Sequence, residues 1–571
     1  MKPLNLIYSQ SDGVTRHLAD NITKNWLIGL RQTNPAILDM FADRDKLPYR
    51  DMLPWSGEFA GKYITGAYYI YRLTKNEDLR RYIETFIDEL ISLQDSDGYL
   101  GCFSKNCRLT GAYSSSPERT GDTWDSWSHY HIMYGLLMWY GVEKNQSYLD
   151  TAEKIAELFI ATFYGDNQKR IVDIGYSEMN LAPIHSFAML YNLTGKKKYL
   201  DFALKIEEDI SDERAGNYIN HSQNGLEYYQ CPKPRWESMH IIMGIAELYR
   251  ATQKEYYRDV AVQIYSSIQK TDVHNTGAFS TNEAAIGNPF GSGSIESCCV
   301  IAYNALAVEI FKLTHDPSVI DFLEISHYNA CMGMWSPSGR WSTYDTPMNG
   351  DRRANYHHIV FQSRPGSPEL NCCSVNAARS VGNISEWMFT YDNDTLYINA
   401  FEQGSYTDDK GVKIDISGSY PAPGEIRISV KNYKGKLALR IPAWSKNTEI
   451  SVNGAVCNPD SGKYFLTEID DDTDFTVNFD FSIRYLTGHG EQEGLFSIYR
   501  GPVLYGVDVT GIENQNINEL SPVSKKRISE TPVKKSGDML TVPIDENLTL
   551  RDFYHLGQTG CIYRTWLPLA D

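Results

Sequence analysis

Five segments of this chain share one layout, and that repetition restricts its fold more than any other feature. They are YRLTKNEDLRRY from Tyr71, WYGVEKNQSYLD around Tyr140, YNLTGKKKYLD from Tyr191, YRATQKEYYRD from Tyr249 and FKLTHDPSVID from Phe311. In each, an apolar helix ends, a polar turn follows and a second, amphipathic helix opens. The anchors lie about 50 to 70 residues apart, the length of a helical hairpin plus a variable connection. Adding a hairpin near Thr15 to Leu30 and a helix after Cys372 gives about twelve predicted helices between residues 15 and 390. Helices in that number, arranged in pairs, predict a closed (α/α)6 toroid. An open α-solenoid is the alternative, but its repeats hold a stricter period than these uneven connections.

Beyond Asp392 the apolar period changes from 3.6 to 2. LYINAF, KIDISG, EIRISVKN, KLALRIPAW, TEISVNG, FTVNFDF, GLFSIYRGPVLYGV and MLTVPI alternate apolar with polar residues between Gly, Pro, Asn and Asp turns. They read as strands of one or two β-sandwiches. A chain of 571 residues is long for one hydrophobic core, and the expected division is a helical domain over 1–390 and β-sandwich material over 391–571. A toroid followed by a sandwich occurs in carbohydrate enzymes, which is an analogy of fold and not evidence of function.

Charge and composition exclude some classes of partner. A net charge of -18 argues against nucleic acid, whose binding needs basic patches. Thirty-nine Tyr and eleven Trp suit stacking on sugar faces, although Tyr also fills helical cores. No window approaches the roughly 20 apolar residues of a membrane span, and MKPLNLIYSQSDGV lacks a secretory h-region. The sequence as given therefore reads as cytoplasmic, or as periplasmic or secreted if a leader has been trimmed, and is compatible with a homodimer. Ten cysteines are too dilute for a disulfide scaffold, and Cys102 and Cys107 read as two loop thiols.

Four of the cysteines stand in two doublets, IESCC ending at Cys299 and ELNCC ending at Cys373. Both doublets open helices, with Asn371 as a plausible N-cap of the second. The helix dipole there favours a thiolate over a thiol. In a toroid the loops at one end of the inner helices converge on a central pocket, where the doublets would meet. Glu296 with three thiolates would complete a four-coordinate shell for Zn²⁺, a borderline-soft ion that accepts S and O donors. Neither pair is a C-x-x-C knuckle, and four buried structural cysteines remain the alternative.

At these residues the sequence resembles glycoside hydrolase family 127, the β-L-arabinofuranosidases. NCCSVNAARSVGNISEWMFTYDNDTLYINAF, KLALRIPAWSKNTEISVNG and GLFSIYRGPVLYG extend the resemblance, which covers about residues 55 to 510. It implies zinc held by Glu296, Cys298, Cys372 and Cys373, with Cys372 as the nucleophile of a retaining exo-glycosidase. It also implies a general acid/base, placed at Glu283 in the loop GAFSTNEAAIGNPFGSGSIESCC; this loop is a few residues shorter than the family's, and Glu324 is the second carboxylate to consider. Sugar contacts are implied at His131, His240 and Tyr344. Where the family commonly has a histidine near GYSEMNL, this chain has Tyr176, which puts the exact sugar in doubt. The expected partner is an oligosaccharide or glycoside carrying β-L-arabinofuranose, with no nucleic acid and no membrane. Two alternatives stand beside it. An acidic plant sugar would need a basic residue such as Arg119 or Arg364 facing the pocket, and a non-catalytic protein stapled by zinc would have no free carboxylate within reach of Cys372.

Overall fold

The computed structural model describes residues 1–50, 52–166, 168–354, 370–513 and 516–571. The repeated turn proves to be a helix corner built from two backbone devices. Tyr71, Tyr140, Tyr191, Tyr249 and Phe311 are the residues whose carbonyls accept the N–H four places on, from Lys75, Lys144, Gly195, Gln253 and His315. Each of those acceptors' partners is left-handed, with φ between 52° and 69°, and each ends its helix. The next residue is extended and caps the following helix, and the side chains of Asn76, Asn145 and Asp316 there accept a backbone N–H of that helix. At four corners a threonine (Thr74, Thr194, Thr252, Thr314) donates back to the previous turn and accepts the N–H two residues on.

These corners fold the chain into a ring. The inner helices are Glu58–Thr74, Asp125–Glu143, Pro183–Thr194, Ser238–Thr252 and Ser297–Thr314, followed by the broken pair Cys372–Asn376 and Ala378–Gly382. Each touches the next, and the last returns to the first, which closes the (α/α)6 toroid. Val14–Ile22, Glu77–Ser92, Gln146–Thr162, Lys197–Ile210, Glu255–Thr271 and Pro317–Ser326 form the outer layer, the first of them backing the broken pair. Inner helices are buried nearly all round, whereas outer ones bury a single stripe. The first two inner helices approach so closely that a Cβ on Gly61 would meet the backbone of His131 at 2.3 Å. Ser297–Thr314 is long and apolar enough to cross a bilayer by composition, but it is a buried inner helix of the ring. The expected single helix after Cys372 is interrupted at Ala377, whose carbonyl accepts from Trp335 Nε1, Ser380 Oγ and the Ser380 N–H.

Every strand expected after residue 392 is present. A five-stranded and a seven-stranded sheet form the first β unit, a third sheet holds the strands from Ile483–Thr487 to Leu548–Asp552 except Val523–Ser524, and Val523–Ser524 pairs separately with Leu569–Ala570. The division at residue 390 did not anticipate the start of the chain: Lys2–Pro3 pairs with Phe389–Asp392, and Leu6–Ser11 pairs with Gly404–Asp408.

Candidate active site

The two cysteine doublets meet at one end of the ring because both helices start there. Glu296 is the extended N-cap of Ser297–Thr314. Asn371 caps Cys372–Asn376 as expected, in a box where its side chain takes the Ser374 N–H and Ser374 Oγ takes the Asn371 N–H. Donor atoms of Glu296, Cys298, Cys372 and Cys373 all lie within 4.8 Å of one another. Glu296 Oε1 is 3.2 Å from Cys373 Sγ and 3.7 Å from Cys372 Sγ. The Sγ of Cys373 is 3.6 Å from that of Cys298 and 3.8 Å from that of Cys372. A tetrahedral ion with metal–sulfur bonds of about 2.3 Å needs sulfur–sulfur edges of about 3.8 Å, so the four donors fit such a shell. All four residues are buried, and every cysteine of the chain, Cys102 and Cys107 included, is unpaired.

The cluster has a cation of its own. Lys62, 1% exposed, places Nζ 2.8 Å from Glu58 Oε1 and 3.8 Å from Cys298 Sγ, over the faces of Trp127 and Trp236. Burial opposes its charge, but Cys298 and Glu58 outweigh burial and hold the ammonium above its ordinary value. Burial likewise opposes ionisation of Cys298, and hydrogen bonds from Cys372 and Cys373, with Lys62, reverse this and pull its thiol well down. That charge then pushes Cys372 up, and burial with Cys298 does the same to Cys373. Of the three thiols, Cys298, the one nearest Lys62, is thus the most favoured to ionise. Burial raises Glu58 to about 7 against the pull of Lys62.

A cavity of about 230 Å³ opens onto this cluster through Cys372 and Glu296. Glu283 stands on its wall, left-handed at φ 67°, with its carboxylate 2.7 Å from an Arg235 nitrogen that also lies 2.8 Å from Glu237. Burial lifts Glu237 to about 7, against Arg235. Tyr344 lines the cavity with its hydroxyl 3.7 Å from Cys372 Sγ, and Tyr176 lines it further out.

Three expectations change. His131 and His240 are buried and are not on the cavity wall; Trp127 packs against both, and Trp236, which is on the wall, packs against His240. His240 is held by the Tyr130 hydroxyl, while both ring nitrogens of His131 lack a partner among the described residues. Glu324 lies outside the site: it is buried against Arg440, Tyr420 and Trp444 where helix meets sandwich. Arg119 turns outward to Asp122, and Arg364 lies outside the described residues. Glu58, Lys62, Arg235, Glu237 and the cavity tryptophans Trp55, Trp124 and Trp236 were not singled out from sequence. A signal for the first pair existed, because Glu58 and Lys62 stand one turn apart in a helix with no other charge before Arg72.

Comparison with known proteins agrees with this geometry. The sequence matches the β-L-arabinofuranosidase GH127 catalytic domain over residues 24–386 and the GH127 middle domain over residues 395–483. Among curated proteins, none matches the chain in sequence. Among solved structures, the GH127 β-arabinofuranosidase BT3674 superposes with a TM-score of 0.80 at 18% identity, covering 100% of this chain and 98% of its own. A GH127 β-L-arabinofuranosidase from Geobacillus stearothermophilus T6 superposes with a TM-score of 0.79 at 15% identity, covering 99% of this chain and 100% of its own. The toroid, the sandwich and the matched domains together place this chain in glycoside hydrolase family 127, as a glycosidase.

Proposed function

We propose that this glycosidase releases a terminal β-L-arabinofuranose with retention, using Cys372 as nucleophile and Glu283 as general acid/base. The observation that carries the reading is that Cys372 belongs to the four-donor cluster and also lines the one cavity that Glu283 lines. Zinc held by Glu296, Cys298, Cys372 and Cys373 would supply the positive charge that keeps the sulfurs deprotonated. The Cys372 sulfur attacks the anomeric carbon as the bond to the leaving oxygen breaks, and Glu283 gives that oxygen its proton. Glu283 then takes a proton from water, which attacks the same carbon as the carbon–sulfur bond breaks. Two inversions leave the starting configuration.

A neutral sugar suits the cavity better than an acidic one. Its wall carries Glu58, Glu178, Glu237 and Glu283, and its Arg235 is already engaged by two of them. The presence of these carboxylates beside Cys372 also counts against a purely structural cluster. Turnover of an aryl β-L-arabinofuranoside is the test. Cys372→Ser should abolish it even with excess zinc, whereas Cys298→Ser should lose activity together with metal. Early-time NMR should find product of retained configuration; inverted product, or rescue of Cys372→Ser by zinc, would remove Cys372 as nucleophile.

A further inference from the structure

We infer that Trp55, Trp124 and Tyr176 form a stacking wall at the cavity mouth that binds the sugar ring of the leaving group, so that a glycan is preferred over a simple glycoside. The inference rests on the roles given above to Cys372 and Glu283, which fix the bond that is cut.

The three rings are contiguous and open to the cavity. Trp55 and Trp124 have centroids 5.0 Å apart, and Trp124 and Tyr176 5.6 Å apart. All three line the cavity that holds Cys372. Within this cavity Cys372 is 7% exposed whereas Tyr176 is 40% exposed, so the wall reaches solvent and the nucleophile does not. A general acid stands on the leaving-group side of the sugar it serves. The leaving group therefore points outward past Glu283, toward the wall, where the apolar face of a sugar ring can lie on aromatic planes.

The wall is built rather than incidental. Its rings come from three separate segments, before Glu58–Thr74, at the cap of Asp125–Glu143 and at the cap of Ser177–Asn180. The Trp124 N–H donates to the Pro54 carbonyl at 2.9 Å, tying the first two together. Asn180, fully buried, donates from Nδ2 to the carbonyls of Thr123 at 3.1 Å and Gly175 at 2.8 Å, tying the second to the third. Tyr176 itself is left-handed, at φ 41° and ψ 55°, right after Gly175, where a Cβ would meet the Gly121 carbonyl oxygen at 2.4 Å. Strain of this kind in an aromatic residue persists where the surroundings impose it, and it gathers at ligand-binding positions.

Two substrates test the wall: a disaccharide of β-L-arabinofuranose and methyl β-L-arabinofuranoside. Tyr176→Asn removes the ring while leaving a residue at ease in the left-handed region, and Tyr176→Phe keeps the ring. The ratio of kcat/KM for disaccharide over methyl glycoside should fall about 5- to 10-fold in Tyr176→Asn, as for loss of one ring contact. It should stay within about twofold of wild type in Tyr176→Phe. An unchanged ratio in Tyr176→Asn, or an equal fall in Tyr176→Phe, would overturn the inference. If the wild type cleaves neither compound, the assignment of the sugar fails on its own. Quenching of tryptophan fluorescence by the disaccharide then decides the wall: quenching weakened in Tyr176→Asn supports it, and no quenching in wild type overturns it.

Discussion

Lys62 shows how much of the site depends on one side chain. Three thiolates and a carboxylate exceed the charge of a divalent ion, so the filled cluster stays anionic, and the buried ammonium 3.8 Å from Cys298 Sγ offsets part of that excess. Lys62→Met should hold metal at least about 10-fold less tightly in chelator competition, the scale of a lost buried charge contact. Retention equal to wild type would make Lys62 a packing residue only. Glu237 gives a pH prediction. Its carboxyl is raised to about 7 from 4.5, chiefly by burial, so the folded chain binds a proton that the unfolded chain has released. Stability from this group is therefore present below about pH 4.5 and is lost as the pH rises to about 7. Glu237→Gln should flatten the fall in melting temperature across that window. The cysteines and Glu296 were legible because doublets are rare and adjacent in sequence, and their spacing near a helix start carries chemistry. Lys62 and Arg235 were not, because beside their local partners Glu58 and Glu237 what ties them to the site is Cys298 and Glu283, far along the chain. Glu324 misled for the same reason: a carboxylate in FLEISHYNA needs a partner, and Arg440, on the strand Gly435–Ile441, cannot be foreseen from that segment.

The helix corner is the element that the sequence displayed best, since its polar turn and flanking periodicity are local. Its left-handed residue also makes a signed prediction. Gln253 pays the steric cost of φ 57° that Gly195 avoids at φ 69°. Gln253→Gly should therefore stabilise by about 0.5–1 kcal/mol, and Gly195→Ala should destabilise by about 1 kcal/mol, read as opposite shifts in thermal unfolding. Equal signs at the two corners would mean that the conformation is not what sets the cost. Elements were misread where tertiary contacts override local pattern. The helix after Cys372 looks continuous in sequence, but it breaks at Ala377, where Trp335, distant in sequence, donates to the backbone. LIYSQS lacks a clean alternation and has no strand-like neighbour in sequence, so it does not announce itself as a strand without sight of Gly404–Asp408.

Across the whole molecule, one buried ion cluster fastens the helical ring to the sandwich. Arg440, 0% exposed, meets Glu324, reaches Asp321 at 2.6 Å and donates to the Asn399 carbonyl at 2.8 Å. Arg440→Met would leave Glu324 buried without a counter-charge, at an expected cost of about 3–5 kcal/mol. Calorimetry should find the first unfolding transition at lower temperature, and an unmoved transition would show that the joint carries little. Ring closure and the first β unit also bind the two ends of a long stretch of chain. The strand Leu6–Ser11 finds its strand partner only at Gly404–Asp408, and the outer helix Val14–Ile22, which also touches the early inner helix Glu58–Thr74, finds the rest of its cover at Ala378–Gly382. A ribosome adding about 5–20 residues per second needs roughly 20–80 s to travel that distance. For that interval the strand Leu6–Ser11 has an unpaired edge and the helix Val14–Ile22 an apolar stripe covered only in part, while the five hairpins in between can already form. Residues 6–22 are thus made long before their last partners, and a chaperone that holds nascent chains would find a long-lived target there.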